Sequence, residues 1–255
     1  MISLAIAIVS SLAMLAAWFW QQKHQNAGIV DVVWAFGMLV AGPWYALNGS
    51  APAWLKGVLI VLTVAWFLRL GLYLLRRFST EGEDGRYQVM RQAMGQYSSI
   101  GFLVFFQLQA GFIWLLSLPF YAVSVNTQPK PLLMYLALIL VALSLWGEAS
   151  ADRQLAKFRS HPENKGLTCR KGWWRFSRHP NYFFEWLHWF AYPLLGFGGP
   201  YQNSLWLAPV VMFVFLYFFT GIPYTEKQAL RSRGDDYRHY MNNTSAFFPW
   251  WPKSQ

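Results

Sequence analysis

Cysteine occurs once in 255 residues, at Cys169. That excludes an intrachain disulfide and any cysteine-rich metal site. Charge is scarce as well: 13% of the chain is charged, against about 25% in a soluble domain. The histidines are scattered at His24, His161, His179, His188 and His239. A membrane di-iron centre needs them clustered, and Glu185-x-x-His188 is half of one such motif. No metal site is expected. No G-x-G-x-x-G follows a strand and no Walker loop occurs, which excludes a Rossmann domain and a P-loop. There is no nucleophile elbow for Ser/His/Asp hydrolysis. Neither internal repeats nor paired broken helices suggest a transporter.

Apolar residues are abundant, at 55% of the chain, and aromatic residues make up 19%. Seven stretches reach the length a bilayer span requires: about 2–20, 28–47, 54–75, 100–123, 132–147, 182–198 and 205–223. The fifth continues as an amphipathic helix to about Arg159. The first lacks a basic n-region and an A-x-A cleavage site, so it reads as a retained helix. Eighteen of the twenty-one Lys and Arg fall in the connections after helices one, three and five and in the C-terminal tail. Positive charge marks the cytoplasmic side. The expected fold is therefore an all-α bundle of seven transmembrane helices, N-terminus outside and C-terminus in the cytoplasm. The loops 48–53 and 124–131 leave no room for an outer domain, so residues 1–255 form one membrane domain. Topology accounts for the net charge of +10, and nucleic acid is dropped as a partner. The setting is a membrane, with membrane lipid as neighbour and no obligatory protein partner.

Ionisable groups inside a bilayer are costly and usually mark function. Asp31 lies in the first turn of helix two. The helix dipole favours a carboxylate there, and a catalytic role is the open alternative. Arg69 reads as a snorkelling side chain. Asn181, Glu185 and His188 share one helical stripe, either as an internal hydrogen-bonded set or as a site. Glu148, Asp152 and Leu155 share a face, with Arg159 one turn on. Gln107 and Gln109 read as packing hydrogen bonds. The turn Glu81-Gly82-Glu83-Asp84-Gly85-Arg86-Tyr87 is too short for a calcium loop and presents Arg86 and Tyr87 to the membrane surface. Between Glu148 and Glu185 lies a loop dense in Lys and Arg. It reads as a positive-inside loop, and a polyanion site added to it is the open alternative. What remains is chemistry on a bound organic cofactor, its phosphates held by Arg and Lys.

The run Asp152…Leu155…Arg159, then Gly172…Arg178-His179-Pro180-Asn181-Tyr182…Glu185-Trp186, resembles the C-terminal half of the steroid 5α-reductase family. Residues 26–34, Glu83-Asp84-Gly85-Arg86-Tyr87-Gln88 and the tail from Thr244 to Trp250 resemble a bacterial branch of it. The resemblance covers about residues 26–252. It implies a seven-helix membrane reductase that uses NADPH on a carbonyl-conjugated C=C bond of a steroid-like or other lipophilic substrate. It also implies a substrate half at about 1–99 and a cofactor half at about 100–255. Carried over by position, Arg86, Asp152, Arg159, Arg178 and Asn181 would contact NADPH. Glu185 would hold the nicotinamide or its neighbours, and Tyr224 and Tyr237 would close over the adenine side. Glu148, standing where the family has Asn, completes the expected cofactor-binding set. The family grips the substrate carbonyl with Gln-Glu on helix two and Tyr on helix three. Here those places hold Val30-Asp31 and, nearby, Trp66, Arg69 and Tyr73. The expected catalytic set is thus Asp31, with Trp66 or Tyr73 as co-donor. Isoprenylcysteine carboxyl methyltransferases share the R-H-P-x-Y motif, so an S-adenosylmethionine-dependent methyltransferase is the alternative. A non-enzymatic assembly factor is a third.

Overall fold

The structure, a computed structural model, describes residues 2–219 and 221–253, and among these residues there is no strand. Six helical stretches are long and apolar enough to cross a membrane. Their outward faces carry Leu, Ile, Val and Phe, as at Leu4, Ile8, Leu12, Leu136 and Ile139. A soluble monomer would not leave so much contiguous apolar surface in water.

The chain forms two compact units. The first comprises Met1–Pro129 with Gly196–Tyr201, and the second Lys130–Leu195 with Gln202–Gln255. In the first unit, α1 (Ile2–His24), α2 (Ile29–Asn48), α3 (Ala53–Thr80), the short α4 (Gly85–Met94) and α5 (Ser98–Ser124) follow in order. α2 packs against α3 and α5, and α1 packs against α5 and α2. Trp34, Phe67 and Phe120 form an aromatic core between α2, α3 and α5, with centroids 6.2 and 5.9 Å apart. Polar contacts fix the register of α1 on α5: Ser11 donates to Gln107 Oε1 at 2.7 Å, and Trp18 Nε1 donates to the Ser99 carbonyl at 2.9 Å. Gln107 is thus a packing hydrogen bond, as its sequence context implies.

In the second unit, α6 (Pro131–Arg159) runs as one helix through the expected span and on to Arg159. After a basic loop come α7 (Trp173–Phe176), α8 (Pro180–His188) and α9 (Ala191–Gly196). The stretch expected as one helix over 182–198 is therefore two short helices with a break at Trp189 and Phe190. Those two residues hydrogen-bond with turn geometry instead of continuing α8. Pro193, inside α9, lacks the N–H that an unbroken helix would use. The last apolar stretch begins as α10 (Leu207–Val214) and widens to a π-helical turn, Phe215–Phe219. Thr220, within the expected span, lies outside the described residues. The polar tail is itself helical, α11 (Ile222–Asn243). Gly234 interrupts α11 at φ +54°, a conformation that glycine adopts without steric cost.

α6 and α8 pack closely because Gly147 presents no side chain. A Cβ there would stand 2.3 Å from the Phe184 ring. Valine regains little helix preference over glycine, so overpacking decides the outcome, at about 2 kcal/mol. Gly147→Val is expected to lower the melting temperature in detergent, and Phe184→Leu in the same chain to restore part of it. An unchanged melting temperature for Gly147→Val would show that α6 and α8 do not pack this way.

Candidate functional site

Two polar clusters stand out, one in each unit. The first gathers at the start of α2. Asp31 accepts from Tyr87 Oη at 2.7 Å through one oxygen and from Arg86 Nη2 at 3.0 Å through the other. Arg86 and Tyr87 reach it because α4 begins at Gly85, with the Asp84 side chain capping it by accepting from the Arg86 backbone N–H at 2.9 Å. Asp84 also pairs with Arg77 at 2.8 Å. Burial pushes the Asp84 carboxyl up, but the Arg86 N–H and the Arg86 and Arg77 guanidiniums outweigh that and hold it below its usual range. α4 is anchored a second time. Glu83 accepts from the Ala27 backbone N–H and from Arg91, and Arg91 reaches Gln21 and Gln25. The loop before α2 and the start of α4 are thus tied together.

Asp31, Asn26, Gly28, Arg77, Phe78 and Asp84 line a shallow cleft open to solvent. The Asp31 side chain is 32% exposed, so a ligand can reach it. Trp66 is fully buried in α3, with the Arg69 guanidinium 5.4 Å from its ring centre, and Tyr73 is half exposed. The phenol that meets Asp31 is therefore Tyr87. The acid-rich turn ahead of Tyr87 was the signal for it, because Asp84 sets where α4 starts.

The second cluster centres on Glu226 of α11. It accepts from Arg178 Nε at 2.7 Å, from His179 Nε2 at 3.3 Å and from Tyr237 Oη at 3.5 Å. Arg178 Nη1 also donates to the carbonyls of Met241 and Thr244, at 2.7 and 3.1 Å, and so satisfies the C-terminal end of α11. Two of the expected cofactor residues, Arg178 and Tyr237, thus meet on one carboxylate. Glu226 went unnoticed in the sequence because a lone acid among Lys227, Arg231 and Arg233 looks like ordinary surface charge. The His179 ring stacks on Tyr182. Burial, more than any other influence, pulls its imidazole below the usual value, against the opposite pull of Glu226.

Beside this knot, Asn181 in the first turn of α8 donates to Asp152 of α6 at 3.3 Å. Glu148 is buried one turn before Asp152, and Tyr224 is half buried in α11. Glu185 lies on α8 with Asn181, and His188 Nδ1 donates to the Glu185 carbonyl at 2.6 Å. Arg159, exposed in the last turn of α6, and Arg233 of α11 are near enough for their charges to repel, and both act with Lys171 on Cys169. Among the described residues, no three His, Cys, Asp or Glu are grouped to hold a metal.

Over residues 17–244 the chain matches the model of a family described as a protein of unknown function, DUF1295. The chain belongs to the DUF1295 family. No curated protein and no solved structure matches it. In this DUF1295 chain both clusters fall inside the matched residues.

Arg178→Ala would leave Glu226 without its closest partner and two carbonyls without their donor. Breaking a buried pair in this way costs about 3 kcal/mol, so the variant is expected to melt well below wild type before any ligand is added. An unchanged melting temperature would exclude the knot. His179 adds a pH dependence. Its folded value lies below the unfolded 6.5, so its contribution is complete above 6.5 and is lost as pH falls through 6.5 toward the folded value. Thermal melts of wild type and His179→Gln from pH 8 to pH 5 are expected to show the smaller acid loss in the variant. Parallel curves would exclude a role for His179.

Proposed function

We propose that the protein is a membrane-embedded, NADPH-dependent reductase of a carbonyl-conjugated C=C bond in a lipophilic substrate. The observation that carries this reading is Asp31, which faces a shallow cleft at the end of apolar helices and accepts from the buried Tyr87 Oη at 2.7 Å. The resemblance to steroid 5α-reductases supports it independently. The reading keeps seven crossings of a bacterial inner membrane, N-terminus outside and C-terminus cytoplasmic, with α8 and α9 as a broken sixth crossing.

In the second unit the donor set suits a nucleotide with several phosphates. Arg159, Arg233 and Lys171 bring like charges together, and a polyanion would relieve their repulsion. Asn181, Asp152 and Glu185 supply amide and carboxylate partners for a carboxamide, and Tyr224 and Tyr237 supply rings for the adenine side. Arg178 acts mainly by fixing the segment that carries Asn181, because its guanidinium already serves Glu226 and α11. NADPH bound there would supply a hydride to the carbon β to the substrate carbonyl.

The protein's own work is on the charge that then builds on the carbonyl oxygen. Stabilising that charge with a preorganised donor is usually the largest catalytic contribution. Tyr87 is that donor, turning its O–H from Asp31 to the substrate oxygen. Asp31 orients the phenol, and Arg86 compensates Asp31 while the phenol is turned away. A proton from water then adds at the α carbon as the enolate carbonyl re-forms, which completes the reduction.

Tyr87→Phe is expected to lower kcat on a lipophilic enone by about 10²–10⁴-fold, as for loss of a general acid, and to leave stabilisation by NADPH intact. Wild-type turnover in Tyr87→Phe would remove the phenol from the chemistry. NADPH is expected to raise the melting temperature by binding the native state alone, and to do so more than NADH, because the basic cluster suits its extra phosphate. Stabilisation by S-adenosylmethionine and not by NADPH would replace this reading with the methyltransferase, which shares the R-H-P-x-Y motif.

A further inference from the structure

We infer that residues 248–253 form an interfacial foot that seats the second unit on the headgroup region of the bilayer, with anionic lipid as the preferred contact. The chain after α11 does not trail into solvent. It runs back along residues 176–178: the Arg178 N–H donates to the Ser245 carbonyl, Ser177 Oγ to the Phe247 carbonyl, and the Trp250 N–H to the Phe176 carbonyl, all within 2.8–2.9 Å. Phe247 is buried against Phe213 and Tyr217, and Phe248 stacks on Phe213 at 6.0 Å. The tail is therefore pinned to the last apolar stretch, whose Phe218 and Phe219 are largely exposed. At that level it displays Trp250 and Trp251, 72% and 71% exposed.

Two adjacent bare indoles in water are unfavourable, whereas the membrane–water interface is where Trp collects. The charge around them fits the same place. Arg175 lies over the Phe176 ring, Trp251 meets that ring edge-on at 5.1 Å, and Lys253 follows. Exposed Arg and Lys beside an aromatic patch attract anionic headgroups. Ring contacts of Phe247 and Phe248 with Phe213 and Tyr217 join the tail to the last span, so the lipid that covers one covers the other. A consequence follows for the neighbouring motif. Because the tail is bonded to Phe176, Ser177 and Arg178, its depth in the interface sets the depth of the segment that enters α8.

The test is difference fluorescence on the full chain in vesicles of phosphatidylcholine and phosphatidylglycerol. With fifteen Trp in the chain, the signal of these two is obtained by subtracting the Trp250→Phe/Trp251→Phe variant. The expected difference emission is blue-shifted. It is quenched more by lipids brominated near the carbonyl than by lipids brominated near the chain end, and little by acrylamide. Removing phosphatidylglycerol is expected to reduce the lipid quenching. A water-like difference emission, quenched by acrylamide and indifferent to brominated lipid, would overturn the inference. So would burial that appears only as the protein-to-lipid ratio rises, which would assign the face to a second copy. Should the double variant fail to fold, subtracting Trp251→Phe alone isolates the Trp251 signal, judged by the same outcomes, and disturbs the edge contact with Phe176.

Discussion

A single carboxylate, Glu226, holds together what the second unit brings from distant parts of the sequence. It takes Arg178 and His179 from the entrance to α8 and Tyr237 from its own helix beyond the Gly234 kink. Its side chain is only 14% exposed. Desolvating a carboxylate costs several kcal/mol unless charged and neutral donors compensate it, and here they do. Arg178 in turn satisfies the carbonyls that end α11. Remove the pair and the helix end, the kinked helix and the R-H-P segment would lose a common support. Asn181, two residues past His179, inherits its position from this knot.

The apolar helices were legible because a bilayer demands long runs, and α1, α2, α3, α5 and α6 follow the hydropathy closely. Where hydropathy stopped being decisive, the sequence misled. Residues 182–198 are apolar enough to be one helix, yet Trp189 and Phe190 turn the chain between α8 and α9. Pro193 announces a kink in this span but not its place, and the turn falls where the Trp189 and Tyr192 rings pack together. The opposite holds for α11. Its polar composition gave no spanning signal, and it is helical through amphipathic burial of Ala229, Tyr237 and Tyr240.

The candidate site was legible one residue at a time and not as pairs. Asp31 stood out because a carboxylate at the start of an apolar helix is costly, and Asn181 and Asp152 stood out by resemblance. The partner of Asp31 could not be read from spacing. Tyr87 lies 56 positions away, and only the Asp84 cap and the Glu83–Arg91 anchor bring it back. Trp66 and Tyr73 were natural choices on the helix that follows α2. The turn after that helix, with three ionic contacts among Arg77, Glu81, Asp84 and Arg86 and one from Arg86 to Asp31, brings a phenol to Asp31 instead.

That arrangement bears on which group can protonate a substrate. Asp31 alone in an apolar site would be a credible acid, since burial favours its neutral form. With a guanidinium on one oxygen and a phenol on the other, both contacts favour the ionised form, because a carboxylate accepts two charge-assisted bonds and a carboxylic acid fewer. A proton on Asp31 would face Arg86 or displace Tyr87. Under the proposed function the phenol, buried and donating to Asp31, would turn toward an incoming carbonyl while Arg86 stays on Asp31. On that proposal the carboxylate would aim and the phenol donate. A reaction that builds negative charge on an oxygen is the chemistry such a pair serves, and it needs only that the oxygen arrive within hydrogen-bond reach of Tyr87.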